Sequence, residues 1–169
     1  MNTADYIRMQ FDWLYWASDQ VLRAASGMTE EEYARPNGFN YKNIRGILTH
    51  ALGSEVAWFK RAQGLPLPEA DSAEAVNETN LATVEALTGR WQLAEQEIRA
   101  FLDKMTEADL DNEVVYAGRE GVERRQPLWQ ICALVYQHTL QHRSEAAEAL
   151  TMIGRSPGGL DLPSYLAER

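Results

Sequence analysis

The chain has 169 residues, which is enough for one hydrophobic core and short for two, so we expect a single domain over residues 1–169 with a C-terminal tail at about 155–169. Apolar residues make up 45% and charged residues 24% of the sequence, proportions that exclude a disordered chain. Its 25 acidic and 16 basic residues give a formal charge of -9, which repels phosphate backbones and argues against nucleic-acid binding.

Two long helices are predicted in the first half of the chain. Apolar residues spaced three and four apart predict the first over about residues 4–25. Thr29, followed by three glutamates, predicts a short capped turn. The second helix begins after Asn40 or Asn43, since both residue types cap helices, and ends at Gly64 before two prolines.

A third helix is predicted to follow a cap at Asn77 or Thr79 and to continue to about Met105, despite Gly89 in its interior. A brief capped turn follows at 106–110. The apolar pattern then changes over 113–125, where two glycines lie between short β-prone runs. This segment predicts a small hairpin or an irregular loop between helices.

The fourth helix is predicted to begin near Pro127 and to end at Gly154. Four helices of about 20 residues each, without alternation between strands and helices, predict an all-α protein built as a four-helix bundle. The tail segment 160–166 either packs back on the bundle or contacts a partner.

A polar stretch interrupts the apolar seam of the fourth helix. His138 and His142 are four residues apart and so lie on one face, and Glu145 follows on the same face. Neutral imidazole is the commonest protein ligand for transition metals, so a bound ion is one interpretation of this pair. Hydrogen-bonded packing is the other. An uncompensated polar cluster in a core costs several kcal/mol, however, and a metal ion is an efficient way to satisfy two or three inward nitrogens at once.

His50, at the edge of the second helix's apolar stripe, becomes a third ligand if the second and fourth helices are neighbours. Three imidazoles leave a position open for water or substrate. Glu55 and Glu145 could orient a ligand or accept a proton, or simply form ion pairs or hydrogen bonds along their helices. Arg143 could meet an anionic substrate, or be a solvated pairing residue. These are the candidate catalytic residues.

Two segments resemble the DinB/YfiT-like superfamily: Asn43-Ile-Arg-Gly-Ile-Leu-Thr-His50, followed by Glu55 and Trp58, and His138-Thr-Leu-Gln-His142-Arg143. The resemblance implies an up-down-down-up four-helix bundle, often a homodimer, with a divalent metal, usually nickel or zinc, on the three histidines. Where the family often has two histidines before the arginine, this chain has Gln141-His142. Characterised branches include S-transferases that use the low-molecular-weight thiols bacillithiol or mycothiol, and a thiol-dependent maleylpyruvate isomerase.

Three functional hypotheses follow. The first is a metal-dependent enzyme that activates a thiol or water for transfer to a small electrophilic substrate, either as an S-transferase or as a hydrolase. The second is a non-catalytic, stress-related dimer with a structural metal. The third has no metal. By residue type alone, three imidazoles suit zinc, nickel, copper and iron alike.

The remaining sequence features concern localisation. The first residues lack the basic start and apolar run of a secretory signal, and no segment approaches about 18 consecutive apolar residues, so a cytoplasmic protein without membrane association is expected. Cys132 is the single cysteine and so excludes an internal disulfide. A small core residue is the interpretation we favour for it, over a nucleophile or a link between two chains.

Overall fold

The computed structural model describes residues 2–118 and 121–169. The chain is mostly helical, with a small two-stranded antiparallel sheet. The helices are α1 Thr3–Ala25, α2 Glu30–Tyr33, α3 Ile44–Ala62, α4 Val84–Lys104, α5 Leu128–Met152 and α6 Leu162–Ala167. A 3-10 helix at Glu107–Asp111 follows α4, and the strands are β1 Glu113–Ala117 and β2 Glu123–Pro127.

Side-chain caps explain where the long helices begin. Asn43 caps α3, because its Oδ1 accepts a hydrogen bond from the amide of Gly46 at 2.7 Å, which selects Asn43 over Asn40. The prediction that the third helix follows Asn77 or Thr79 is wrong. The cap of α4 is Thr83, and Asn77 instead holds a turn by accepting from the amide of Asn80 at 2.8 Å.

The predicted hairpin between the third and fourth long helices is confirmed. Val114 pairs with Gln126 and Tyr116 with Arg124 in an antiparallel register. Arg119 and Glu120 lie outside the described residues. Since Val114 is buried while most of the hairpin is exposed, the sheet covers one side of the helices without forming a core of its own.

The four long helices contact each other in a ring. α3 packs against α5 and α4, and α1 packs against the same two helices. The buried side chains form two clusters, one around Leu48, Leu87 and Leu150 and the other around Phe11, Phe59 and Ile131. Because α3 and α5 have the most extensive contact, side chains that face each other across this pair are held in fixed positions.

The C-terminal segment packs back on α1, which was one of its two predicted positions. The indole of Trp13 donates a hydrogen bond to the carbonyl of Leu160 at 3.0 Å, and the rings of Trp16 and Tyr165 lie 5.6 Å apart. Within the described residues, none of the helices combines the length and apolar character that crossing a membrane requires.

Candidate metal centre

The α3–α5 contact brings the three histidines together. His50 comes from α3, and His138 and His142 lie one turn apart on α5. One ring nitrogen of each lies within 4.8 Å of the others, and Nε2 of His50 is 3.0 Å from Nε2 of His138. Coordinating nitrogens on one ion are about 3 Å apart when each bond is near 2 Å, so small shifts would give bonding distances.

Burial favours the neutral form of these imidazoles. Burial, followed by the proximity of His142 and His50, lowers the pKa of His138 to about 4. The pKa of His50 is lowered for the same reasons, burial first and then His142. Neutral rings keep the lone pairs that bind a metal, so the donor set fits a divalent transition ion.

Glu145 orients one of the three rings. Its Oε2 lies 2.7 Å from Nδ1 of His142, which keeps the proton on Nδ1 and leaves Nε2 with a lone pair. Burial alone would raise the pKa of Glu145, but hydrogen bonds from Gln141 and His142 together lower it, so the carboxylate stays charged. Because Nδ1 of His138 has no partner among the described residues, contacts within the cluster must set that ring's tautomer.

Glu55 lies in a separate buried group. It is 0% exposed, and its carboxylate accepts hydrogen bonds from Tyr15 at 2.6 Å and from Thr139 at 3.4 Å. Burial raises its pKa to about 7, although both hydrogen bonds act in the opposite direction. Among the described residues, its hydrogen bonds link three helices and include none to the histidines.

Arg143 faces α1 rather than the histidines. It is 2% exposed, so the interpretation of a solvated pairing residue is wrong. Its Nη1 donates to the carbonyl of Leu14 at 3.5 Å, its guanidinium lies 5.8 Å from the ring centre of Trp13, and burial lowers its pKa to about 10. Of the residues predicted for the site, the structure therefore groups the three histidines with Glu145, and places Glu55 and Arg143 apart.

Tyr41 is a site residue that the sequence analysis missed. Its hydroxyl is 2.8 Å from Nε2 of His50, and its ring stacks on that imidazole at 4.0 Å. The ring also meets His142 edge-on at 5.1 Å. Tyr41 precedes the α3 cap in a loop, where no helical periodicity applies, and a positive φ of 68° at Lys42 is not visible in the sequence.

A shallow, open surface groove runs along α5 and reaches His138. Its volume is about 450 Å³, and Trp129 on its wall is 44% exposed. It is lined by Gln126, Trp129, Gln130, Ala133, Leu134, Gln137, His138 and Gln141. The amide side chains and the indole offer hydrogen-bonding groups and an apolar surface beside His138.

Comparison with known proteins identifies the family of the chain. The model of the DinB family matches residues 1–169, the whole chain. The chain belongs to the DinB family. A comparison with curated proteins found no match. The family match includes both helices that carry the histidines, in agreement with the resemblance of their motifs.

Proposed function

We propose that this DinB-family protein is a divalent-metal-dependent enzyme that activates a thiol or water for transfer to a small electrophilic substrate. The observation that carries the proposal is the convergence of three histidine nitrogens within 4.8 Å, with His138 also lining a groove. A divalent ion, nickel or zinc by family resemblance, supplies the Lewis acidity that lowers the pKa of a thiol or water. Bacillithiol or mycothiol is the proposed thiol class.

The chain's own residues supply orientation and access. Glu145 fixes the ring of His142 and is a positioning residue, because its contact is with a ligand and not with the groove. The groove beside His138 is the side from which we propose that the substrate approaches. The contacts of Glu55 with Tyr15 and Thr139 support a structural role for that carboxyl group, and those of Arg143 with α1 support packing.

Metal analysis and an activity panel test this function. The purified protein is expected to bind one divalent ion per chain, and His142→Ala to lose it, whereas Glu148→Ala, an exposed change on the same helix, retains it. The metal-loaded protein is then assayed on small electrophiles with a panel of thiols and with water alone. A wild-type protein that binds no divalent ion contradicts the proposal, and a loaded protein inactive across the panel favours a structural metal.

The second candidate is a non-catalytic, stress-related dimer. One observation favours it: the ligands come from α3 and α5, so an ion would join the two helices that already pack most closely. We infer a homodimer from the family resemblance, and sedimentation with and without metal tests it. The ring of contacts among the long helices supports the up-down-down-up bundle and the single domain that we propose for either function. The cytoplasmic location that we propose rests on the sequence alone.

A further inference from the structure

The hydroxyl of Tyr41 makes a hydrogen bond that a metal ion would break. In the structure it lies 2.8 Å from Nε2 of His50, and it donates to that nitrogen in the tautomer that leaves Nε2 with the lone pair a metal ion would use. The same Nε2 of His50 lies 3.0 Å from Nε2 of His138, so it is the nitrogen that His50 directs into the cluster. A lone pair that binds an ion cannot also accept a proton. The half-buried Tyr41 hydroxyl then needs another acceptor.

Stacking keeps that hydroxyl near the centre. The rings of Tyr41 and His50 are almost parallel, with an angle of 17° and 4.0 Å between their centres, and the edge contact with His142 restrains the ring from a second side. Losing the hydrogen bond to Nε2 therefore leaves the phenol in place. The hydroxyl lies 2.8 Å from the nitrogen that would bind the ion, and groups that share an ion are about 3 Å apart, so a molecule bound to that ion beside His50 would lie close to this donor.

The backbone before α3 is built to hold Tyr41 at this point. The carbonyl of Tyr41 accepts from the amide of Asn43 at 2.8 Å in a tight turn around Lys42, whose φ of 68° is unfavourable for a side-chain-bearing residue. Gly46 permits the approach, because a Cβ there would lie 2.2 Å from the Tyr41 carbonyl oxygen. Such strained backbone is found most often where a side chain has a functional position.

We propose that Tyr41 is the hydrogen-bond donor of the centre's open position, where its hydroxyl holds the anionic atom of the incoming ligand, such as a thiolate sulfur. This inference rests on the proposed metal centre. In this proposal Tyr41, which lies outside the histidine motif, determines which incoming ligands bind more tightly. Ligands that arrive as anions gain a charge-assisted hydrogen bond, which is stronger than one between neutral groups.

Tyr41→Phe tests the proposal, because it removes the hydroxyl and keeps the stacked ring. The wild type and the variant are loaded with Co²⁺, and the dissociation constants of 2-mercaptoethanol and azide are measured from the change in the cobalt absorption spectrum. We expect Co²⁺ stoichiometry to be unchanged and both ligands to bind about tenfold more weakly to the variant. Tyr165→Phe, which removes a hydroxyl on α6, serves as the matched control and should bind both ligands as the wild type does.

Three other results would overturn the proposal and are distinguishable. Equal dissociation constants for Tyr41→Phe and the wild type would mean that only the ring matters. A large loss of Co²⁺ affinity in Tyr41→Phe would make Tyr41 a ligand of the ion itself. If the wild type binds no Co²⁺ or any other divalent ion, the metal centre fails, and the role of Tyr41 fails with it.

Discussion

Glu145 acts on the candidate centre through a single contact, the 2.7 Å hydrogen bond between its Oε2 and Nδ1 of His142. Removing such a partner frees the ring to rotate and to change tautomer, and typically costs about 10- to 100-fold in metal affinity. We expect that loss in Glu145→Ala, measured by competition with a chromogenic chelator. Glu148→Ala, which removes an exposed carboxylate from the same helix, should retain wild-type affinity.

Glu145→Gln distinguishes the effect of the hydrogen bond to His142 from the effect of the negative charge on metal affinity. Its amide oxygen can still accept from His142, so an affinity between those of the wild type and Glu145→Ala is expected. If Glu145→Ala binds the metal as tightly as the wild type does, Glu145 has no part in orienting the ligand.

The sequence predicted the three histidines and not Tyr41, for a physical reason. His138 and His142 are recognisable because helical geometry places residues four apart on one face, and His50 because it borders an apolar stripe. Tyr41 reaches the cluster through a turn with positive φ at Lys42. That conformation depends on how close the loop comes to α3, which no spacing rule predicts.

The first turn of α3 is where an element boundary and the site depend on each other. Gly46→Ala introduces a Cβ that would meet the Tyr41 carbonyl oxygen at 2.2 Å, so the loop must move away. We expect a loss of about 1–3 kcal/mol in the free energy of unfolding, typical of overpacking, measured by urea denaturation. The displaced loop should also reduce stacking of Tyr41 on His50.

Gly89→Ala is the control for this change. Gly89 lies inside α4, and a Cβ added there would have nothing within 4 Å, so alanine should stabilise the helix by about 1 kcal/mol. If Gly46→Ala also stabilises the protein, the close approach of the loop to α3 is not a packing constraint.

The ends of the helices were predicted well where apolar periodicity is strong. They were predicted less well where several residues could each cap the same helix. α1 and α5 match their predicted spans closely, because long amphipathic stretches and flanking glycines define them. Before α4 the chain offers Asn77, Thr79 and Thr83 as caps. The side-chain amide of Asn80 donates hydrogen bonds to the carbonyls of Ser72 and Ala75, both at 2.9 Å. These bonds hold the preceding segment in turns, so the helix begins only after Thr83.

Glu55 couples the stability of the whole helical assembly to pH. Its carboxyl group joins α3 to Tyr15 of α1 and Thr139 of α5, and burial raises its pKa from 4.5 to about 7. A raised pKa in the folded state means that the stabilising contribution is complete below pH 4.5 and is lost as the pH rises through about 7. The difference corresponds to at most about 3 kcal/mol.

Glu55→Gln removes this dependence while retaining an acceptor for Tyr15 and a donor for Thr139. We therefore expect the free energy of unfolding of wild type, relative to Glu55→Gln, to fall between pH 5 and pH 8, with the variant gaining at the upper end. Urea denaturation of both proteins across this range measures the difference. Parallel curves would show that Glu55 keeps the same charge when the chain unfolds.

Cys132, the single cysteine, is 1% exposed and lies in the second core cluster, where burial raises its pKa to about 12. At neutral pH it is therefore a protonated thiol that is shielded from reagents. While the chain is folded it does not act as a nucleophile and does not form a mixed disulfide. Excess small thiols can be added to the native protein without modifying it. Any sulfur transferred to an electrophile in such a mixture must originate from the added compound.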